Sequence, residues 1–187
     1  MPERVSPVVY SVNQFAIIGG NNMKISRFVQ YKTVIICTGN ICRSPMAEGI
    51  LGHMLPGALK ETISVQSAGT HAYDGLDAEP FAVRTLLDRD IDIRSHRSKR
   101  VYDTMLADAD LILAMEDAHL VHAQRMLPAA ADRMHLLGEF DTQQSGEEVP
   151  DPYGGTLETY QQCAQMISAY LEGVIDYLHN AIGDNEG

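Results

Sequence analysis

The chain predicts an α/β fold, a three-layer sandwich with a central four-stranded parallel sheet and helices on both faces. Three observations carry this. Short apolar runs rich in β-branched residues alternate with longer stretches of helical spacing. Two of the runs, Thr33–Cys37 and Asp110–Met115, are largely apolar, as strands covered on two faces are. No repeat, low-complexity tract or linker interrupts residues 32–182.

The elements follow in order. Thr33–Cys37 reads as a buried strand. Ser44–Leu55 reads as a helix, with Ser44 near its cap and Pro45 in its first turn. Thr62–Gln66 is a second strand, and Pro80–Asp88 a helix that Ile91-Asp92-Ile93 leads out of. Asp103–Ala107 is a short helix, Asp110–Met115 a third strand and Ala118–Met126 a helix. Met134–Leu137 is the fourth strand. Leu157–Ile182 is a long terminal helix, with Tyr160, Met166, Ala169, Tyr170, Val174 and Tyr177 at helical spacing. The expected organisation is an N-terminal extension over 1–31, one domain over 32–182 and a tail over 183–187. The extension contains Met23, a possible true start, and its composition fits a loosely packed tail better than a signal peptide.

Composition bounds the function. A chain of 187 residues can bury a sizeable core. Its net charge of −11 disfavours nucleic acid and anionic membranes as partners. No apolar run reaches the ~18–20 residues that would span a bilayer. The three cysteines, Cys37, Cys42 and Cys163, do not form a disulfide framework and suit a reducing compartment, so a cytoplasmic location is expected.

Chemistry concentrates at the end of the first strand. Cys37 is followed by Thr38, Gly39, Asn40, Ile41 and Cys42, then by Arg43 and Ser44 where a helix begins. A short loop there aims backbone N–H groups inward, and such a nest beside a helix N-terminus binds a tetrahedral oxyanion. Gly39 lets the backbone turn. Arg43 can grip two phosphate oxygens with its fork. The positive field favours the thiolate of Cys37, a nucleophile suited to attack phosphorus. Ser44 can donate its hydroxyl to that sulfur, or serve as a plain helix cap.

Cys37 to Pro45, with Val34–Ile36 before and Met46-Ala47-Glu48 after, resembles the low-molecular-weight protein-tyrosine phosphatases. Val149-Pro150-Asp151-Pro152-Tyr153-Gly154 resembles that family's acid-bearing loop, and Ser67–Thr70, Ser95-His96, Leu136–Phe140 and Glu158–Cys163 also fit. The resemblance covers about Lys32 to Leu178 and implies a flavodoxin-like doubly wound fold. It implies hydrolysis of phosphotyrosine through a phosphocysteine, without metal or cofactor. Cys37 is then the nucleophile, Arg43 the phosphate clamp and Asp151 the general acid. Residues 38–42 with Arg43 and Ser44 bind the phosphate. Asn40, Ser44, Ser67 and His96 support the loop. Tyr73, Asp74 and Tyr153 form the substrate rim, where Gly154-Gly155 in place of a second aromatic implies a more open mouth. Cys42 can form a reversible disulfide with Cys37 against over-oxidation. The motif looks bacterial, and that implies a phosphotyrosine protein such as a tyrosine autokinase of exopolysaccharide production as substrate. A monomer or weak homodimer is expected.

Three other readings stay in view. Arsenate reductases share the fold but need further relay cysteines, and Ala47 to Gln162 holds none. Protein-arginine phosphatases carry a threonine where Ile41 stands here. A non-catalytic phosphoprotein-binding module would usually have lost Cys37, Arg43 or Asp151.

Overall fold

The computed structural model describes residues 31–143 and 146–183. Most of the expected N-terminal extension, with Met23, and all but the first residue of the expected tail lie outside these.

The sheet contains β1 (Tyr31–Cys37), β2 (Ile63–Gly69), β3 (Leu111–Ala114) and β4 (Met134–Leu136) in the order β2-β1-β3-β4. All pairings are parallel. Among the described residues, six α-helices flank them: α1 (Arg43–Met54), α2 (Gly57–Lys60), α3 (Pro80–Leu87), α4 (Asp103–Asp108), α5 (Asp117–Met126) and α6 (Leu157–Gly183). The order reverses direction at β1, where the chain steps to β2 on one side and to β3 on the other. That reversal places a crevice outside the carboxyl end of β1.

Alternation along β1 divides the core. Ile35 and Cys37 face a layer built with Met46, Ile50 and Leu51 of α1, Ala82 and Leu86 of α3, and Ala164, Leu171 and Val174 of α6. Val34 and Ile36 face the opposite layer, with Met105 and Leu106 of α4 and Ala123 of α5. The three-layer sandwich read from the sequence is the observed architecture.

Boundaries differ where pairing overrides pattern. β2 runs on through Ser67-Ala68-Gly69 instead of stopping at Gln66, because these polar and small residues pair with Ile35, Ile36 and Cys37. The short helix α2 and the 3-10 turns Pro128–Arg133 and Leu137–Phe140 had no periodicity to announce them. Among the described residues, no helix is long and apolar enough to cross a membrane.

Candidate active site

Residues 38–42 curl from the end of β1 into the first turn of α1, whose leading N–H groups lack intrahelical partners. The loop is tied on every side. Thr70 N–H donates to Cys37 O at 2.8 Å and His71 N–H to Thr38 O at 2.9 Å. Glu79 N–H, at the entry to α3, donates to Ile41 O at 2.8 Å. Gly69 lies directly beneath: a Cβ there would sit 2.6 Å from Thr38 O and 2.9 Å from Asn40 N. Only glycine permits that approach.

Asn40 is the keystone. Its φ of +53° is left-handed, a conformation asparagine tolerates better than most residues. Fully buried, its side chain donates from Nδ2 to Ser44 Oγ (2.8 Å) and Ser67 Oγ (2.9 Å) and accepts from Lys99 N–H at Oδ1 (2.9 Å). His96 donates from Nε2 to the Asn40 carbonyl at 2.8 Å, so that ring carries its proton on Nε2. Ser67 in turn donates to Glu48 Oε2 at 2.5 Å. Each expected support residue thus touches the loop or a residue that does.

The Cys37 sulfur receives the Asn40 N–H at 3.3 Å and lies 3.0 Å from Ser44 Oγ. The Asn40 N–H is a donor to the sulfur, and in the second pair either the thiol or the Ser44 hydroxyl can donate. Ser44 is not the cap: Cys42 occupies that position without a side-chain bond, and the Ser44 hydroxyl is spent on the loop.

Arg43 is 1% exposed, yet its charge is met. Nη1 donates to Glu116 Oε1 at 2.5 Å and to Val149 O at 3.0 Å. Nη2 donates to Asp151 Oδ2 at 2.8 Å and reaches Thr38 Oγ1 at 3.4 Å. One guanidinium therefore joins the cysteine loop to the distant Asp151 segment. Tyr153 N–H donates to Asp151 Oδ1 at 3.2 Å, which holds that carboxylate in place. The Tyr73 and Tyr153 rings stand out in solvent, 80% and 64% exposed, and Asp74 is exposed beside Tyr73.

A profile of the low molecular weight phosphotyrosine protein phosphatases matches residues 32–183. The chain belongs to that family. Family members are phosphoric monoester hydrolases. A relative from Ralstonia nicotianae, named a probable low molecular weight protein-tyrosine-phosphatase EpsP, is 37% identical over 137 residues, 73% of this chain and 88% of its own length. The crystal structure of a low molecular weight protein tyrosine phosphatase from T. tengcongensis superposes with a TM-score of 0.72 at 36% identity, covering 79% of this chain and 99% of that one. An arginine phosphatase, YwlE from Geobacillus stearothermophilus, superposes with the same score at 30% identity, covering 81% and 94%.

Three further residues of this phosphatase site escaped sequence reasoning. Glu116 and His119 follow β3 at its carboxyl end, and that position was the available signal. His119 Nε2 shares a hydrogen bond with Thr38 Oγ1 at 2.8 Å, while its Nδ1 is buried without a partner. Burial first, then the Arg43 charge, lowers its pKa to about 4, against the pull of Glu116. The third is Tyr160 of α6, whose hydroxyl lies 3.4 Å from Cys42 Sγ and whose ring meets Phe81 edge-on. Burial pushes the Cys42 thiol up to about 12. Cys163, pushed up to about 12 for the same reason, packs below Pro150. Among the described residues, no group of His, Cys, Asp and Glu side chains converges to hold a metal ion.

Proposed function

We propose that this phosphatase hydrolyses phosphotyrosine in proteins through a phosphocysteine at Cys37. The observation that carries the reading is the single buried guanidinium of Arg43 holding both the Cys37 loop and Asp151. A phosphoryl dianion competes with Asp151 for Arg43 Nη2 and takes the inward N–H groups of residues 38–43. Asp151, as the general acid, gives its proton to the phenolic oxygen. The Cys37 S–P bond forms as the P–O bond breaks. The Asp151 carboxylate then takes a proton from a water that attacks phosphorus. Breaking of S–P returns inorganic phosphate and a thiolate held by Ser44 and the Asn40 N–H.

Tyr73 and Tyr153 suit the two sides of a phenyl ring. The likeness to an arginine phosphatase supplies the second reading, against which Ile41 stands as an aliphatic crowding of a guanidinium. The bacterial character of the loop favours a tyrosine autokinase as the protein substrate. A Cys37–Cys42 disulfide belongs to the same proposal, and mass spectrometry after limited peroxide should find it; a Cys37 sulfonic acid instead would sink it.

Hydrolysis of p-nitrophenyl phosphate with chelator present, in wild type and Cys37→Ser, tests the enzyme. The expected result is activity that survives chelation and vanishes in the variant. Phosphotyrosine against phosphoarginine peptides then decides the substrate, with phosphotyrosine expected to be preferred.

A further inference from the structure

Arg94, Arg97, Lys99 and Arg100 place four of the chain's 14 lysines and arginines within seven residues, and no carboxylate interrupts the run. In a chain of net charge −11 this is an island of positive charge. The fold carries its end to the candidate active site. Gly69 donates its N–H to Lys99 O and accepts from Val101 N–H, both at 2.9 Å, which sets Arg100 beside Gly69 in a parallel bridge. Gly69 is itself in register with Cys37. Two strand spacings of about 4.8 Å therefore put the Arg100 Cα about 10 Å from that of Cys37, level with it across the sheet.

The four cations are not equally engaged. Arg94 is bound to Asp92 and Arg97 to Asp77, and Lys99 Nζ donates to Gln66. The Arg100 side chain is exposed and forms no ion pair with any described carboxylate; Asp74 accepts only its backbone N–H, at 2.7 Å. His122 of α5, whose ring lies 5.4 Å from that of His71, has a lowered pKa, by burial first and then by His71, Arg100 and Arg125. Tyr73 stands on the same ridge, its carbonyl accepting the Ser98 hydroxyl at 2.5 Å, and Tyr102 is 52% exposed two residues beyond Arg100.

An uncompensated cation in an acidic surface suits one carboxylate better than a polyanion, which the net charge repels. An extended peptide advances about 3.4 Å per residue, so about 10 Å is about three residues. We propose that Arg100 binds a carboxylate side chain about three residues from the phosphotyrosine of the substrate, so that the enzyme selects phosphotyrosines in acidic segments. This rests on the phosphotyrosine reading above.

The test uses phosphotyrosine peptides with Glu or Lys at the third residue before or after the phosphotyrosine. They are compared in the full chain, Arg100→Ala and Arg100→Glu, each rate divided by that on p-nitrophenyl phosphate so that a general loss of activity cancels. In the wild type at low salt, kcat/KM should favour Glu over Lys by about three- to tenfold on one side. The preference should fade at high salt, approach one in Arg100→Ala and invert in Arg100→Glu. No preference in the wild type, or the same preference in Arg100→Glu, overturns the Arg100 assignment and leaves phosphotyrosine hydrolysis standing. Failure on every phosphotyrosine peptide, with or without aryl phosphate turnover, removes both.

Discussion

Arg43 shows how one residue sets the requirements of its neighbours. A guanidinium this deeply buried cannot shed its proton, so carboxylates must come to it. Glu116 and Asp151 do so from opposite directions. Their contacts differ: Glu116 and Val149 O take Nη1, while Asp151 takes Nη2. Asp151→Asn keeps the contact but has no proton to give. Its kcat on phosphotyrosine should fall by about 10²–10⁴-fold, and by less on p-nitrophenyl phosphate, whose leaving group needs less help. An equal loss on both substrates would contradict the acid assignment. His119 adds a pH signature. It titrates near 6.5 when unfolded and about 4 when folded. Between these values the unfolded chain binds more protons, so the stability the neutral ring contributes is fully present above pH 6.5 and is lost as pH falls toward 4. The amount at stake is about 3 kcal/mol. Urea unfolding across that range should show a shallower acid loss in His119→Gln; parallel curves would remove His119 as the cause. Cys37, Arg43 and Asp151 were legible as residues because each sits in a local motif. Glu116 and His119 were not, because their partners lie 73 and 81 residues away in sequence.

At the scale of elements, the site depends on how closely β2 supports the cysteine loop. Strand patterning located β2 but ended it at Gln66, since Ser67, Ala68 and Gly69 lack the bulky apolar character of a strand. Those three residues are small for a reason: Ser67 bonds Asn40, and Gly69 lies under Thr38 and Asn40. Gly69→Ala should push the loop aside, with a stability loss of about 1–3 kcal/mol. Even a ~1 Å shift of a positioned group can cost 10²-fold, so kcat/KM should fall by about that much. Full activity in a folded Gly69→Ala protein would mean the loop gives way without consequence. The main strands and longer helices were legible because their apolar residues are contiguous and keep one period. The short α2 and the two 3-10 turns are held by tertiary context, which a local pattern does not carry.

For the whole molecule, the sheet order β2-β1-β3-β4 decides where chemistry can occur. It puts β1 in the middle, gives Cys37 the crevice, and brings loops after β2 and β3 to the same end. The alternation of elements made the sandwich readable, while the strand order and the contacts of Arg43 with Val149 and Asp151 join residues far apart in sequence. A covalent phosphocysteine at Cys37 can be trapped by rapid acid quench during turnover of a phosphotyrosine peptide by Asp151→Asn, followed by peptide mass spectrometry. One phosphoryl group is expected on the peptide carrying Cys37, absent from Cys37→Ser treated alike. Turnover proceeding in Cys37→Ser, or a phosphoryl group found on another residue, would contradict it.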